Sequence, residues 1–147
     1  MVRLVAAAAT ALLLALTLAP ADASPASRYA SQAFDKTNDN RAGHDLKELG
    51  RNDCLQKYAK RQATKMARNQ TLVHQQLEPI AENCHLGYVG ENIAYGYPSG
   101  KATVDAWMHS EGHRANILRP QYRLMGLAAS KARNGQWYVS QVFGRKA

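Results

Sequence analysis

Residues 90–143 read GENIAYGYPSGKATVDAWMHSEGHRANILRPQYRLMGLAASKARNGQWYVSQVF, and the rest of the chain is organised around them. The centre of this stretch, Trp107–Arg114, holds two imidazoles, one carboxylate and one hydroxyl. Large apolar residues flank this polar centre, with Trp107 before it and Ile117 and Leu118 after it. Apolar anchors around a few polar groups are typical of a cleft. The stretch therefore predicts a site whose other partners come from elsewhere in the chain.

Length and composition indicate one globular domain. The chain has 147 residues, 46% of them hydrophobic, and a formal net charge of +8. A chain of this length supports one domain with a core but not two, and its apolar content excludes a disordered chain. We expect a monomer.

The N-terminus has the pattern of a secretory signal peptide. Arg3 supplies a positive charge, Leu4–Leu18 is apolar apart from two threonines, and Ala21-Asp22-Ala23 matches an A-x-A cleavage site. The apolar run is short for a membrane span, so an uncleaved anchor is the less favoured alternative. We predict a signal peptide over residues 1–23 and a secreted, extracellular protein.

Two cysteines, Cys54 and Cys84, remain in the exported chain. In an oxidising compartment a lone pair of cysteines is more often bridged than free. Closing a loop of about 30 residues would stabilise the fold by roughly 3 to 4 kcal/mol. We expect a disulfide; two buried free thiols are the alternative.

The N-terminal part of the exported chain is predicted as a flexible segment over residues 24–33, followed by the domain proper at 34–147. Ser24–Ser27 is small and polar. A helical spacing of apolar residues begins at Arg28 and stops near Gly43.

A second helix is predicted over residues 54–69, with Asn52 or Asp53 as its N-cap. Its outer side is the most basic surface of the chain, with Lys57, Lys60, Arg61, Lys65 and Arg68. The favoured interpretation is a solvated face. The alternative is adhesion to an anionic surface, either an envelope polymer or a membrane. Nucleic acid is not expected as a partner, because no aromatic residues interleave these charges.

The C-terminal third predicts one helix and two strands. The helix covers residues 103–109, and strands at 124–130 and 136–143 flank the hairpin turn Asn134-Gly135. Helices followed by a hairpin indicate an α+β fold with helices packed on a small antiparallel sheet.

His109 and His113 are spaced four residues apart, which suits zinc on one face of a helix. The segment is not the metalloprotease pattern HExxH, because Glu111 stands third rather than second. An ordinary surface role is therefore favoured for each histidine taken alone.

Ser110, His113 and Glu91 suggest a hydrolase triad in outline. No G-x-S-x-G elbow surrounds Ser110, and spacing does not place a base within reach of a nucleophile. The favoured interpretation of Ser110 is a small polar residue that lines the cleft.

Four motifs together resemble the CAP superfamily, in particular its short bacterial secreted branch, the SCP domain. They are His74, GENIA at 90–94, AWMHSEGHRANIL at 106–118 and the terminal QWYVSQVFG. The resemblance runs from about Phe34 to Phe143. It implies an α-β-α sandwich with a central antiparallel sheet, helices on both faces and a central cleft.

The resemblance also implies the composition of the cleft. Family members carry two histidines and two acidic residues there, which fall on His74, His113 and Glu91 and, for the second acid, on Ser110. The cleft thus departs from the full set. His74, His113 and Glu91 remain candidate ligands for a divalent metal such as zinc. His109 or Glu111 could replace the lost acid, but only if its side chain turns inward. Asn92 and Arg114 are expected to orient the site.

The leading functional hypothesis is a protein that binds a lipid, a metal ion or an envelope component in this cleft without catalysis. The alternative is a metal-dependent or Ser/His hydrolase that uses His74, Glu91, Ser110 and His113. A third hypothesis is an adhesion module that acts through the basic helix. Fold alone does not choose among them.

Overall fold

The computed structural model describes residues 23–147, which form five helices and four strands. The helices are α1 (Pro25–Ala42), α2 (Asp53–Asn69), α3 (Glu78–Cys84), α4 (Gly100–Met108) and α5 (Glu111–Ile117). The strands are β1 (Gly50–Arg51), β2 (Leu86–Tyr95), β3 (Leu124–Lys131) and β4 (Trp137–Lys146). Of the helices that the structure describes, none is long and apolar enough to span a bilayer. The predicted signal peptide lies outside the described residues apart from Ala23.

The four strands form one sheet in the order β1-β3-β4-β2. The predicted hairpin is β3–β4, with Lys131 opposite Trp137, and β2 pairs antiparallel with the other side of β4. The three longer strands are antiparallel, as predicted, and β1 adds one parallel pair with β3, so the sheet is mixed. Two residues are too few to show alternation, which is why β1 has no sequence signal. Strand β2 is left at the edge of the sheet.

Side chains of β4 alternate between two cores, one on each face of the sheet. Val139 and Phe143 pack with Trp107 beneath α1, α4 and α5. Val142 points the other way and packs with Leu55 beneath α2 and α3. Helices therefore cover both faces, which confirms the predicted α-β-α sandwich.

The predicted flexible segment at residues 24–33 is instead the first half of α1. The Ser24 side chain caps the helix by accepting a hydrogen bond from the Ser27 backbone N–H, and Pro25 occupies the first turn. Tyr29 and Ala33 are buried. The Tyr29 hydroxyl also lies within hydrogen-bond distance of the Thr103 hydroxyl. Packing against α4 therefore fixes a segment whose first residues look small and polar in the sequence.

Two close contacts hold α2 in place. A Cβ on Gly126 would lie 2.2 Å from the backbone carbonyl carbon of Leu55, so only glycine lets α2 approach β3 this closely. The predicted disulfide between Cys54 and Cys84 is present, with 5.8 Å between the Cα atoms, and it ties the start of α2 to the end of α3.

Candidate functional site

The outer edge of β2 is covered by side chains of α4 and α5. The backbone carbonyl of Glu91 accepts a hydrogen bond from Nδ2 of Asn116 (3.2 Å), and that of Ile93 accepts one from Nε1 of Trp107 (3.2 Å). These side chains occupy edge carbonyls that would otherwise be open to another strand. The same contacts fasten both helices along β2, and the site forms where they meet the strand.

Asn92 is fully buried and connects α5 to the interior of the sheet. Its Nδ2 donates to the backbone carbonyl of His113 (3.2 Å) and to Oε1 of Gln141 (3.1 Å). Its Oδ1 accepts from Nδ2 of Asn116 (3.0 Å). Gln141 continues the network by donating to the Thr37 hydroxyl of α1 (2.8 Å). Asn92 therefore orients the site, as predicted, whereas Arg114 is exposed on α5.

Arg41 fixes the far end of α5. Its buried guanidinium donates to the backbone carbonyls of Ile117 (2.7 Å) and Arg119 (3.0 Å). Burial is the main cause that lowers the pKa of Arg41, and nearby Arg123 adds to it. A long side chain from α1 thus holds the C-terminal turn of the helix that carries His113.

The Glu91 side chain is 1% exposed and fully engaged by hydrogen bonds. Oε2 accepts from Nδ1 of His74 (2.9 Å) and from the backbone N–H of Gln75 (3.2 Å). Oε1 accepts from Nε2 of Gln75 (2.7 Å) and from the Ser140 hydroxyl (2.9 Å). Four donors match the acceptor capacity of a carboxylate. Glu91 therefore anchors the segment that carries His74 and Gln75, and its lone pairs are already in use.

His113 and Ser110 form a second pair across the cleft. Nδ1 of His113 lies 2.9 Å from the Ser110 hydroxyl oxygen. Desolvation by burial, and then the nearby His74, lower the pKa of His113, which favours the neutral imidazole. The carboxylate of Glu91 bonds to His74 and not to His113, so no His bridges an acid to Ser110.

The structure places the four candidate residues around one cavity of about 260 Å³. Its lining consists of His74, Glu91, Asn92, Ser110, Gly112, His113 and Asn116. Gln75 and Ser140, which complete the hydrogen bonds of Glu91, were not predicted from the sequence. They lie 16 and 49 residues from Glu91 along the chain, and no local pattern marks such partners.

The donors present do not fit a metal ion. Within residues 23–147, no three His, Cys, Asp or Glu side chains are grouped to hold one. Ser110 occupies the position of the second acid and supplies no carboxylate. The lone pairs of Glu91 already accept hydrogen bonds from protein donors. The proposed replacements do not turn inward: His109 and Glu111 are exposed, and Nδ1 of His109 donates to the backbone carbonyl of Asp105 (2.7 Å). The condition for replacement by His109 or Glu111, a side chain turned into the cleft, is therefore not met.

The cavity continues at both ends along β2. A cavity of about 300 Å³ shares His74, Glu91 and Asn116 with it and extends to Tyr88. Another, of about 220 Å³, shares Ser110 and His113 with it and extends to Tyr95. We call this continuous depression the β2 groove. Its centre is polar, and its ends carry tyrosines.

Exposed apolar side chains are concentrated on the β2 groove. The large apolar residues that are exposed within the described chain are Leu72 (42%), Val73 (45%), Tyr88 (43%), Tyr95 (53%) and Tyr97 (38%). All of them except Val73 line the groove. The sequence shows a tyrosine-rich region here, but only the folded chain determines which of its tyrosines remain exposed.

Comparisons with known proteins agree with this architecture. A family model described as "CAP: Cysteine-rich secretory protein family" matches residues 34–143. The uncharacterized protein YkwD of Bacillus subtilis is 30% identical over 129 residues, covering 83% of this chain and 49% of YkwD. An extracellular SCP-domain protein from Bacillus anthracis superposes with a TM-score of 0.73 at 26% identity, over 85% of this chain and 45% of that one.

A more distant structure shows the same fold. An outer surface protein from Borrelia burgdorferi superposes with a TM-score of 0.71 at 22% identity, covering 78% of this chain and 90% of that one. The present chain thus spans about half the length of YkwD and of the B. anthracis protein.

An α-β-α sandwich whose cleft lies at the edge strand, between a His–Glu pair and a Ser–His pair, defines a protein of the SCP-domain class. The family match covers most of the chain, and the chain belongs to the cysteine-rich secretory protein (CAP) family, as predicted.

Proposed function

We propose that the chain is an exported, non-catalytic binding protein whose β2 groove holds an extended, carboxylate-bearing peptide of a cell-envelope component. Export rests on the N-terminal sequence pattern and on the similarity to an SCP-domain protein described as extracellular. The ligand class rests on the shape and chemistry of the groove.

The concentration of exposed apolar side chains along the groove is the observation that carries the proposal. Leu72, Tyr95 and Tyr97 line one end, and Tyr88 lines the other. Exposed apolar patches rimmed by polar groups mark interaction sites. The part of β2 from Tyr88 to Tyr95 spans roughly 23 Å, which is the length of about seven extended residues.

The polar centre of the groove favours a peptide over a lipid. His74, Ser110 and Asn116 line this centre, between the apolar ends. An acyl chain laid across it would cover polar groups without pairing them, which costs free energy. A peptide supplies backbone donors and acceptors in the middle and apolar side chains at the ends.

One end of the groove favours a carboxylate. Arg119 lines the cavity that extends to Tyr88, and the guanidinium carbon of Arg145 lies 5.3 Å from the ring centroid of Tyr88. Arginine binds carboxylates through two parallel hydrogen bonds. An acidic group at that end of the peptide would therefore find a partner.

Two features argue for binding rather than turnover. The Glu91 carboxylate accepts four hydrogen bonds from the protein, so it is not free to act as a base. The Ser110–His113 pair lacks the third group that orients the base in a catalytic triad.

The test is fluorescence polarisation with a library of seven-residue peptides, each made with a free and with an amidated C-terminus. We expect some of these peptides to bind. Amidation of the C-terminus should weaken the binding of those peptides whose C-terminal carboxylate is their only acidic group. The variant Leu72→Ser should lose at least about tenfold in affinity, because a buried Leu contributes about 1.5 kcal/mol or more. The matched control is Val73→Ser, since Val73 is equally exposed but does not line the groove.

A fluorescent long-chain fatty acid serves as the competing probe. Tight binding of the fatty acid with displacement of every peptide would overturn the choice of a peptide. Equal losses in Leu72→Ser and Val73→Ser would overturn the assignment to the groove.

A second candidate function is a Ser/His hydrolase, which the 2.9 Å distance between Ser110 and His113 favours. A neutral imidazole beside a hydroxyl can accept its proton. Assays with activated acyl esters and peptides decide this: measurable turnover that disappears in Ser110→Ala with the fold intact supports a hydrolase. Equal background rates in both proteins rule it out.

A further inference from the structure

The exposed side of α2 carries a single row of cations that shares no lining residue with the β2 groove. Its members are Lys57, Lys60, Arg61, Lys65 and Arg68, and we call them the α2 basic row. All five are exposed, and they line one hollow together with Thr64. Spacings of three and four residues place them on one face of the helix. The row is about 17 Å long, from the helical rise of about 1.5 Å per residue.

Within the described part of the chain, no acidic group forms an ion pair with this row. Between residues 23 and 147, the only ion pairs are Lys36–Asp105 and His74–Glu91. The single acidic residue of α2, Asp53, lies in its first turn. Like charges three or four residues apart destabilise a helix. A bound polyanion would relieve this repulsion.

The row continues beyond α2. Lys60 also lines an adjoining cavity of about 290 Å³ together with Arg51. The guanidinium carbon of Arg51 lies 3.9 Å from the ring centroid of Phe34, and that of Arg61 lies 4.8 Å from the ring of Tyr58. Stacking on aromatic rings holds these two cations in place.

We propose that the α2 basic row binds a linear, phosphate-bearing polyanion. A narrow row of cations matches a polymer that carries a charge on each repeat, and the overall charge of +8 favours its approach. No large apolar side chain is exposed on α2, so nothing there would insert into a bilayer. Tyr58 is half-buried and covered by Arg61, so the row offers no aromatic platform for nucleobases.

The experiment titrates inorganic polyphosphate into the full chain by isothermal calorimetry. The first row variant is Lys57→Glu/Arg61→Glu/Lys65→Glu. The matched control, Lys47→Glu/Lys101→Glu/Arg133→Glu, makes the same change in net charge at exposed positions outside α2. A second row variant, Lys57→Gln/Arg61→Gln/Lys65→Gln, keeps the test valid if charge reversal unfolds α2. Glutamine and lysine have similar helix propensities.

We expect the wild type to bind, with affinity falling roughly 10²-fold between about 50 mM and about 200 mM salt, as release of several counterions requires. The two row variants should lose at least tenfold more affinity than the control. Equal losses in the row variants and the control would overturn the proposal, because net charge alone would then account for binding. Anionic phospholipid vesicles and single-stranded DNA are the competing probes. Tighter binding to the vesicles, at equal phosphate concentration, overturns the choice of a linear polymer, and tighter binding to the DNA overturns the choice of a polymer without nucleobases.

Discussion

The hydroxyl oxygen of Tyr122 lies 2.1 Å from the point where a Cβ on Gly90 would stand. Tyr122 is 2% exposed, and its ring stacks on Phe143 at 5.1 Å between centroids. The ring is therefore held in place, and β2 can pass in front of it only with glycine at position 90. This glycine allows the strand that carries Glu91 and Asn92 to lie against the core.

The variant Gly90→Ala should therefore destabilise the fold by roughly 1–3 kcal/mol, the usual cost of inserting a methyl group into a packed core. Urea unfolding measures the loss. Gly112→Ala is the matched control, because a Cβ there meets nothing within 4 Å. Alanine at this helical position should instead stabilise by roughly 0.5–1 kcal/mol. Equal stabilities of the two variants would contradict the contact with Tyr122.

Glu91→Gln should release the segment that carries His74 and Gln75. The new amide group places a donor among the existing donors, so at least one buried hydrogen bond is lost, at a cost of roughly 1–3 kcal/mol. Hydrogen exchange should rise first at Gln75, whose backbone N–H donates to Glu91. The exposed Glu48 provides the control Glu48→Gln, for which we expect no change. Unchanged exchange at Gln75 would mean that Glu91 does not anchor the segment.

Much of the fold is predictable from the sequence because its signals are local. The alternation along β4 and the turn at Asn134-Gly135 give the hairpin, whereas the burial of both faces of β4 follows from the helices on each side of the sheet. By contrast, β1 owes its pairing to β3, some 74 residues further along the chain, as the register of Gly50 with Leu124 shows. No pattern within two residues encodes such a partner.

The candidate site, like the fold, could be predicted from the sequence only in part. The motif residues Glu91, Asn92 and His113 could be named from the sequence, but their partners Gln75, Ser140 and Gln141 could not. Gln141 bonds to Asn92 across 49 residues, and its place opposite β2 depends on sheet register.

The prediction for the start of α1 is wrong because the stability of this segment comes from the burial of Tyr29 against α4 rather than from its own composition.

Asn92→Asp should destabilise the protein and loosen α5. Nδ2 of Asn92 donates to two acceptors, the His113 carbonyl and Oε1 of Gln141, and a carboxylate oxygen would face both without a proton. Leaving buried acceptors unpaired costs roughly 1–3 kcal/mol each. The control is Asn134→Asp, because Oδ1 of Asn134 accepts a hydrogen bond from the Gln136 N–H, and an aspartate oxygen does the same. Equal unfolding midpoints for the two variants would argue against the network.

The pKa of His113 should lie below the ordinary histidine value of about 6.5, with desolvation as the main cause and His74 as a smaller one. An NMR titration of the imidazole measures it directly. His74→Asn should raise the pKa of His113 only part of the way, since burial remains. His85→Asn, which removes an exposed imidazole outside the groove, should leave it unchanged. Full recovery of the ordinary value in His74→Asn would make charge, not burial, the main cause.

The lowered pKa of His113 also predicts how stability depends on pH. Because the folded pKa lies below the unfolded one, the unfolded chain takes up its proton first as the pH falls. The contribution of His113 is therefore fully present above a pH of about 6.5 and is lost as the pH falls toward the folded pKa. Urea unfolding at a series of pH values should show a shallower decline in His113→Gln than in the wild type. Parallel curves for the two proteins would mean that protonation of His113 is not coupled to folding.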